Sequence, residues 1–467
     1  MLGEKKRVVV VGGGITGLTA AYYLQKAAKT NKLPLAVTLI EATPRLGGKI
    51  RTVKKNGFII ERGPDSFLAR KESAVRLARE AGLGDQLITS KAGRPYVLAN
   101  GKLHPIPEGS VIGVPTKITP FVTTNLFSVA GKVRAGVDFF LPKTDLKNDL
   151  SLGGFFRRRL GNEVVENLIE PLLSGVYAGD IDKLSLMATL PQLHEMGQKH
   201  RSLILTVKQM SSALANEAGG FLTPKGGLEE LAEGIEERLE GGSVLKGIRV
   251  KRIEKREDNQ FILSLNDGRK IIADGVILTT SHLTLPSMMP QYRFFDVLKD
   301  MPAMSVATVT MAFPEEAVSQ HIDGLGFVVS RNSDVTITEC TWVHKKWPHA
   351  VPAGKALLRC YVGRAGDEAI VDLSDAEIEQ IVVEDLKRVI ALSEKPDFTV
   401  VSRWKQAIPQ YTIGHKERIE TIEEQMHQKL PGLFVAGSSF RGIGIPDCIE
   451  QGEAAAQKAA AFIQNNS

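Results

Sequence analysis

A glycine-rich turn between a β-branched strand and a helix constrains the fold of this chain more than any other feature. The segment Gly12-Gly13-Gly14-Ile15-Thr16-Gly17 directly follows the apolar run Arg7–Val11 and opens a stretch of helical periodicity from Ile15 to Lys29. A second apolar run, Leu35–Ile40, completes a βαβ unit. In such a turn the first glycine permits the bend, the second lets a pyrophosphate approach the backbone, and the third lets helix and strand pack closely. The helix N-terminus presents free N–H groups to the anion.

Glu41 stands at the end of the second strand of this unit. A carboxylate at this position is placed to accept hydrogen bonds from the hydroxyl groups of a ribose. Glycine-rich turns alone also occur for backbone reasons, and a single acid at a strand end can belong to an ordinary turn. Because strand, turn, helix and acid occur together in this order, the N-terminus is predicted to bind a dinucleotide.

A second glycine pair follows the acid, in Pro44-Arg45-Leu46-Gly47-Gly48-Lys49-Ile50-Arg51. With this segment the sequence resembles the FAD-containing amine-oxidase superfamily, whose members follow the ribose acid with an Arg-x-Gly-Gly-(Lys/Arg) stretch. The resemblance implies non-covalent FAD rather than a nicotinamide cofactor. It also implies that Ala42 and Gly48 contact the cofactor, and that Arg45 and Lys49 face its phosphate or ribityl oxygens. Either cation could instead be an ordinary surface charge.

Two further segments resemble flavin motifs of the same superfamily. The segment 57–66 is similar to the loop beside the isoalloxazine ring, which implies contacts from Gly63, Pro64, Asp65 and Ser66. The strand Gly432–Gly437, followed by a helix predicted over Pro446–Gln464, is similar to the last flavin motif, which implies contacts from Gly437, Gly442, Ile443 and Gly444. A helix N-terminus there would stabilise negative charge on the reduced ring.

Within this superfamily the sequence resembles the porphyrinogen oxidases most closely. The segments that carry the resemblance are 61–68, 170–180, 403–404 with 409–411, and 442–447. It implies an α/β fold in which a Rossmann-like FAD-binding domain holds an inserted α+β substrate-binding domain, as in the amine-oxidase and p-hydroxybenzoate hydroxylase architecture. It also implies Val250 and Trp404 as flavin contacts, although each could equally be a core residue.

The activity implied by the resemblance is the oxidation of coproporphyrinogen III, with protoporphyrinogen IX also accepted, in haem synthesis. Hydride would pass to flavin N5, molecular oxygen would restore the flavin, and hydrogen peroxide would be released. No catalytic acid or base could be identified from the sequence. Arg70 and Lys71 follow the flavin-side loop and are implied as contacts for substrate propionates, with an exposed helix start as the alternative interpretation.

Other members of the superfamily remained alternatives. A carotenoid desaturase or an amine oxidase would share the scaffold, but Ser438–Ile443 lacks the aromatic residue with which monoamine oxidases enclose an amine. Dissociation-inhibitor proteins use a related fold for binding without redox chemistry. The intact Gly12, Gly14, Gly17 and Glu41 argue against that alternative.

Five segments describe the predicted domain organisation. The FAD-binding domain is predicted from residues 1–95, 221–290 and 401–467, a mostly helical region facing substrate or membrane from 96–220, and a substrate-domain sheet and helix from 291–400. Within them we predict helices over Asp149–Leu173, Glu195–Glu217 and Ser374–Ile390, a meander over Val244–Leu278 with a hairpin turn at Asn266-Asp267-Gly268, and a sheet from Met304–Phe313, Gly326–Ser330, Val335–Thr341 and Ala356–Val362. His104–Pro142 is interpreted as a loop, with a membrane-surface patch as the alternative.

Composition limits the partners of the chain. The net charge of +6 and pI of about 9.0, without any block of five like charges, do not indicate nucleic-acid binding. Cys340, Cys360 and Cys448 form no metal-ligand spacing and favour a reducing compartment, so we predict no metal and a cytoplasmic location. No apolar run is long enough to span a bilayer. The expected partners are porphyrinogen and oxygen, with peripheral membrane contact and transient contact with neighbouring haem-pathway enzymes left open.

Overall fold

The computed structural model describes residues 5–144, 148–215, 220–318 and 324–466. The strands within these ranges are, in chain order, β1 (Lys6–Val11), β2 (Leu35–Glu41), β3 (Thr52–Lys55), β4 (Phe58–Glu61), β5 (Phe67–Leu68), β6 (Leu87–Thr89), β7 (Arg94–Ala99), β8 (Lys102–Pro105), β9 (Ser110–Val111), β10 (Val114–Pro115), β11 (Phe221–Pro224), β12 (Val244–Lys246), β13 (Val250–Lys255), β14 (Phe261–Leu265), β15 (Lys270–Ala273), β16 (Gly275–Leu278), β17 (Ala303–Pro314), β18 (Gly324–Val329), β19 (Ile337–Trp342), β20 (Lys355–Val362), β21 (Phe398–Pro409) and β22 (Leu433–Val435).

The α-helices within the same ranges are α1 (Ile15–Thr30), α2 (Glu72–Glu80), α3 (Ile118–Thr123), α4 (Val129–Gly136), α5 (Leu152–Leu160), α6 (Asn162–Val164), α7 (Glu170–Tyr177), α8 (Leu186–Thr189), α9 (Pro191–Lys199), α10 (Leu203–Ala215), α11 (Glu229–Glu236), α12 (Leu285–Met288), α13 (Val343–Lys346), α14 (Asp375–Ile390), α15 (His415–Lys429) and α16 (Ile445–Asn465).

The first sheet is parallel, with the strand order β12-β2-β1-β16-β22. Strand β1 lies at its centre, with Val8 opposite Val37 of β2 and Gly275 of β16. Val8 and Val10 pack into the core shared with α1 and α16, whereas Val9 and Val11 pack into the core shared with β13 and β14. Because both faces of the strand are covered, its sequence is a continuous apolar run. The predicted βαβ unit is confirmed.

The second sheet has the strand order β21-β17-β20-β19-β18-β7-β8. Four of its strands were predicted, whereas β21, β7 and β8 were not. Helix α14 packs on this sheet through Ile378, Val382 and Leu386. Its predicted capping box is confirmed, because the side chains of Ser374 and Glu377 each accept a hydrogen bond from the other residue's backbone N–H. The predicted α/β fold is thus confirmed.

Two of the predicted helices are broken. The first, over Asp149–Leu173, is α5, then α6, a π-helical turn at Val165–Ile169 and α7. Gly161 ends α5 with a φ of 85°, a conformation that glycine adopts without steric cost. The second, over Glu195–Glu217, is α9 and α10, separated at residues 200–202, and its last two residues lie outside the described ranges.

The predicted meander over Val244–Leu278 is correct only in its middle part. Strands β13, β14 and β15 form an antiparallel sheet whose hairpin turns at the predicted Asn266-Asp267-Gly268. Strands β12 and β16 instead join the parallel sheet. The sequence pattern did not distinguish these strands because buried parallel and half-buried antiparallel strands are both short and apolar.

The segment His104–Pro142 contains β9, β10, α3 and α4, so its interpretation as a plain loop was wrong. Its buried apolar side chains include Val114, Phe121, Leu126, Phe127 and Ala135, which pack into the same core as α5 and α7. Its other apolar side chains are unusually open to solvent: Ile118, Val122, Val129, Val133 and Phe140 are all more than half exposed.

The division into domains stays a prediction. The parallel sheet draws its strands from the three segments assigned to the FAD-binding domain. Two proposed boundaries fall inside strands of the second sheet, however, since residue 95 lies in β7 and residue 401 lies in β21. The substrate-domain sheet therefore extends beyond residues 291–400 on both sides.

Candidate functional site

A cavity of about 940 Å³ lies where the two sheets meet. One wall is formed at the carboxyl ends of β1, β2 and β16, where Gly12, Glu41 and Thr279 line it. This is the edge at which parallel α/β sheets bind ligands. The other wall comes from the second sheet, where Val306 of β17 lies opposite Trp404 of β21 in the strand register.

Most of the residues predicted to bind the cofactor line this single cavity. They are Gly12, Gly14, Ile15, Thr16, Glu41, Ala42, Gly48, Lys49, Gly63, Pro64, Asp65, Ser66, Val250, Trp404, Ile443 and Gly444. They come from distant parts of the sequence and are brought together by the parallel sheet and by β21.

The turn before α1 has the shape that a pyrophosphate requires. Gly14 precedes α1, and a Cβ built on it would meet no atom within 4 Å. By contrast, a Cβ on Gly17 would lie 1.8 Å from the carbonyl oxygen of Gly12. Gly14 therefore leaves space for a ligand at the helix N-terminus, while Gly17 is needed for packing within the protein.

Gly13 and Glu41 join the turn to the end of β2. The Gly13 N–H donates to Oε2 of Glu41 at 2.6 Å, and the Thr43 N–H donates to Oε1 at 2.8 Å. Two backbone donors thus orient the carboxylate at the cavity wall. This geometry fits the predicted role of Glu41 as an acceptor for ribose hydroxyl groups.

The two cations of the second glycine motif are placed differently. The guanidinium of Arg45 donates to the carbonyl oxygens of Leu46, Gly48 and Ile50 and pairs with Glu229 at 3.2 Å. It supports the glycine turn from behind and is not among the described residues that line the cavity. Lys49 does line the cavity, where its ammonium donates to the carbonyl oxygen of Ala407 and to the hydroxyl of Ser438 at 3.4 Å. Desolvation lowers the pKa of Lys49.

The remaining predicted glycines shape the turns before α16. Gly437 and Gly442 have φ values of 117° and 75°, and the Gly437 N–H donates to the side chain of Gln451 at 3.0 Å. Ile443, Gly444 and the first residue of α16 line the cavity. The N-terminus of a 21-residue helix is therefore directed at this end of the cavity, where it favours negative charge.

The end of the cavity away from the nucleotide turn is mainly apolar. Its wall includes Gly175, Val176, Phe221, Tyr361 and Ile408. Gly175 and Val176 lie in the segment 170–180, which entered the sequence analysis only as part of a resemblance, and Phe221, Tyr361 and Ile408 were not predicted. The indole of Trp404 lies beside them and donates to the carbonyl oxygen of Arg62 at 2.8 Å.

Arg70 and Lys71 are not among the described residues that line the cavity. Arg70 is exposed. The ammonium of Lys71 lies 3.2 Å from Asp447 and 3.8 Å from Glu450, with its side chain 40% exposed. Lys71 therefore links α2 to the first turns of α16, and its role toward a substrate stays a prediction.

Asp65 is the centre of a buried group of charges beside the cavity. Its Oδ2 accepts hydrogen bonds from Lys346 at 2.9 Å and from the indole of Trp347 at 3.1 Å, and it lies 3.1 Å from Arg359. Burial alone would raise the pKa of Asp65, but the two cations reverse this and hold it well below its usual range. Asp65 therefore stays ionised.

Glu61 lies near Asp65 but, unlike Asp65, favours its protonated form. Burial raises its pKa from 4.5 to about 8, although the backbone N–H of Leu228 and the hydroxyl of Thr52 both donate to it. The unfolded chain therefore releases this proton at lower pH than the folded chain does. The contribution to the free energy of unfolding is complete below pH 4.5 and is lost as the pH rises to about 8.

We therefore expect Glu61→Gln to flatten the pH dependence of stability between pH 4.5 and 8. The amide cannot ionise, so the variant should be relatively more stable at pH 8, by on the order of a few kcal/mol. Urea unfolding of native and variant protein at pH 5 and pH 8 measures the difference. Equal pH dependence in the two proteins would contradict the raised pKa.

His282 also lines the cavity and was not predicted. Its Nε2 lies 2.9 Å from the carbonyl oxygen of Met301, so this nitrogen must carry the hydrogen, and its Nδ1 lies 3.1 Å from the hydroxyl of Ser439. Burial lowers the pKa of His282, which favours the neutral ring. It positions the segment between β22 and α16.

Comparison with known proteins decides the family. The family model for flavin-containing amine oxidoreductases matches residues 15–460. The chain belongs to this family. This flavin-containing amine oxidoreductase is 52% identical to the coproporphyrinogen III oxidase of Bacillus subtilis, with 98% of this chain and 99% of that protein covered. It is 41% identical to the coproporphyrinogen III oxidase of Staphylococcus aureus, with 98% and 99% covered.

A solved structure from Exiguobacterium sp., provisionally named a protoporphyrinogen oxidase, matches this flavin-containing oxidoreductase with a TM-score of 0.87. The two chains are 38% identical over 98% of this chain and 99% of that one. The chain is therefore an FAD-dependent oxidoreductase, and the alternative of a non-enzymatic binding protein is excluded. The cavity fits the cofactor, because Gly14 leaves open space at the N-terminus of α1 and the carboxylate of Glu41 is held beside this turn on the same wall.

The described residues offer neither a candidate membrane span nor a candidate metal site. None of their helices combines the length and the apolar character needed to cross a membrane. The described ranges likewise contain no group of three or more His, Cys, Asp or Glu side chains placed to hold a metal ion.

Proposed function

We propose that this flavoenzyme oxidises coproporphyrinogen III to coproporphyrin III, and accepts protoporphyrinogen IX more slowly. The observation that carries this is the 52% identity, over nearly the whole of both chains, to a protein named coproporphyrinogen III oxidase. The cavity supports it, because its end beside Trp404 is lined by apolar side chains that suit the face of a flat macrocycle. A carotenoid desaturase or amine oxidase remains the second candidate.

Different residues of the chain would bind the two ends of the cavity's contents, the nucleotide of the cofactor and the ring of the substrate. When bound, FAD supplies the acceptor for the hydride that leaves a bridging carbon of the macrocycle. The turn at Gly14 and the carboxylate of Glu41 hold the nucleotide end, and the apolar wall of Val176, Phe221 and Tyr361 contacts the ring at the substrate end. The N-terminus of α16 would stabilise the negative charge that develops on the ring of the reduced flavin. Positioning is thus the main task of the protein.

Molecular oxygen is the proposed terminal acceptor. Conversion of the porphyrinogen to the porphyrin removes six electrons and six protons in three rounds. Three molecules of oxygen take them up as three molecules of hydrogen peroxide, so electrons and atoms balance. We infer that FAD is held without a covalent bond, and acid precipitation of the protein should then release all flavin into the supernatant.

The location and the contacts of the enzyme are part of the same proposal. We place the reaction in the cytoplasm, because the buried thiols of Cys340, Cys360 and Cys448 are unpaired, as is typical of a reducing compartment. The exposed side chains of Ile118, Val129 and Phe140 are a surface for peripheral contact with a membrane or a neighbouring haem-pathway enzyme. Sedimentation of the protein with lipid vesicles tests the membrane contact.

We expect native enzyme to have a higher kcat/KM for coproporphyrinogen III than for protoporphyrinogen IX. The first substrate carries four carboxylates and the second carries two, so cations at the cavity favour the first. Porphyrin fluorescence after mixing with each substrate measures both rates. A native preference for protoporphyrinogen IX would contradict the choice of substrate, and no porphyrin from either would contradict the proposed function itself.

Lys71→Ala should raise the KM for coproporphyrinogen III more than that for protoporphyrinogen IX. Because the Lys71 side chain is 40% exposed, the increase should be less than about fivefold, the range of an exposed ion pair, and salt should reduce it. Lys29→Ala is a matched control, since Lys29 also pairs with an acid, Glu240, but lies at the far end of α1. Equal changes in KM for both substrates would contradict a role of Lys71 in substrate choice.

A further inference from the structure

Lys346 is the last residue of α13 and reaches the substrate end of the cavity. Its side chain is 15% exposed and lines the cavity wall. The ammonium donates to Asp65 at 2.9 Å and lies 5.0 Å from the centre of the Phe221 ring. Within the described ranges Asp65 is its hydrogen-bond acceptor. An ammonium has three N–H groups, so two remain for a ligand at this wall.

The charges around Lys346 are not balanced. Lys346 and Arg359 both pair with Asp65, and within the described ranges neither cation pairs with another carboxylate. In direct contact, one carboxylate thus meets two cations. Burial raises the pKa of Glu61 to about 8 and also raises the pKa of Glu339, which weakens the attraction of these two acids for the second cation. The surplus positive charge therefore lies beside the cavity.

Lys346 and Arg359 differ in position, and this difference shows which of them can contact a ligand in the cavity. The side chain of Arg359 is 5% exposed and lies behind Asp65, where it also faces the ring of Tyr361 at 5.3 Å. Arg359 is not among the described residues that line the large cavity, whereas Lys346 is. Asp65 is therefore neutralised from behind by Arg359, and Lys346 is free to share its charge with a bound anion.

We propose that Lys346 binds a carboxylate of the substrate and so determines which porphyrinogen the enzyme prefers. This rests on the proposed function. The apolar wall of Val176 and Phe221 accepts the ring, and Lys346 meets one propionate at its rim. Little water separates the charges here, so their attraction is stronger than at the surface. This site differs from Lys71, whose ammonium is already paired with Asp447 and Glu450.

Binding of two porphyrins to the FAD-loaded protein tests the proposal. Coproporphyrin III carries four carboxylates, and its tetramethyl ester has the same ring without charge. In Lys346→Met, which keeps the length and apolar stem of the side chain, the acid should bind about 10-fold more weakly or worse, the cost of removing one partner of a shielded charge pair. The ester should bind within about twofold of native, since the ring contacts are kept. Quenching of porphyrin fluorescence measures both.

Two further variants show whether the ammonium of Lys346 binds the carboxylate or only supports the fold. Lys346→Arg keeps the charge and should recover part of the affinity for the acid. Lys345→Met is the matched control, because Lys345 is the neighbouring residue of α13, lies over Trp342 at 5.6 Å and is not among the described residues that line the cavity. It should bind both porphyrins as the native protein does.

The possible results separate a failure of the Lys346 proposal from a failure of the proposed function. Equal losses for the acid and the ester in Lys346→Met would mean that Lys346 only holds the Asp65 loop, and would overturn the proposal. Unchanged binding of the acid, or the same loss in Lys345→Met, would overturn it as well. In each of these cases native enzyme would still oxidise coproporphyrinogen III. If the native enzyme does not, the proposed function fails and this inference fails with it.

Discussion

Gly14→Val should give a folded protein that no longer binds FAD. The glycine has a φ of −70°, which valine also adopts, and a Cβ there meets no atom within 4 Å. The added side chain therefore clashes with nothing in the protein but occupies the space of the pyrophosphate. Overpacking costs about 1–3 kcal/mol and occasionally more. Because the branched side chain occupies the space of the pyrophosphate itself, we expect a loss of at least about 3 kcal/mol, an affinity for FAD more than about 100-fold lower. Flavin absorbance of the purified variant measures occupancy.

Gly241→Val is the matched control for this substitution. Gly241 is exposed, and its Cβ would also meet no atom within 4 Å, but it lies in a turn before β12 and away from the cavity. It should keep native flavin content. Glu41→Ala should weaken FAD binding less than Gly14→Val does, since loss of a hydrogen bond to one charged group costs about 1.5–3 kcal/mol. Full flavin occupancy in Gly14→Val would contradict the assignment of the site.

Asp65→Asn should destabilise the folded protein by about 3–5 kcal/mol, because removal of one partner leaves buried charges uncompensated. The asparagine has the shape of the aspartate, so the change isolates the charge. Arg359 suffers most, since its side chain is 5% exposed and its Nε has no hydrogen-bond partner in the described ranges. The free energy of unfolding in urea measures the loss.

Asp258→Asn provides the comparison on the surface. Asp258 pairs with Arg256 at 2.9 Å, but the two side chains are 46% and 40% exposed. Water screens this pair, so its loss should cost less than about 1 kcal/mol. If both variants lose the same stability, the charges around Asp65 are not shielded from water as their burial indicates.

The nucleotide half of the site could be predicted because its information is local. The strand β1, the turn at Gly14 and the helix α1 follow one another in the sequence, and each has its own pattern of residue types. The acid Glu41 comes at the end of the next strand. Each element from β1 to β2 can therefore be recognised from the local sequence alone.

The substrate half could not be predicted because its contacts join distant residues. Lys346 and Asp65 are 281 positions apart, and nothing near either residue in the sequence indicates the other. Arg45 shows a different difficulty. Its residue type suited a phosphate contact, yet the carbonyl groups of its own turn and Glu229 satisfy it. Only the folded backbone shows which acceptor a cation reaches.

The contact between α1 and α16 determines when the flavin site can form during synthesis of the chain. Gly452 of α16 lies so close to α1 that a Cβ there would be 2.4 Å from the carbonyl oxygen of Thr16. The first and last helices of the chain thus complete the flavin site together. Since a ribosome delivers the N-terminal part first, a nascent chain exposes its nucleotide turn long before α16 emerges. Capture of FAD at the complete site therefore waits until α16 has been synthesised.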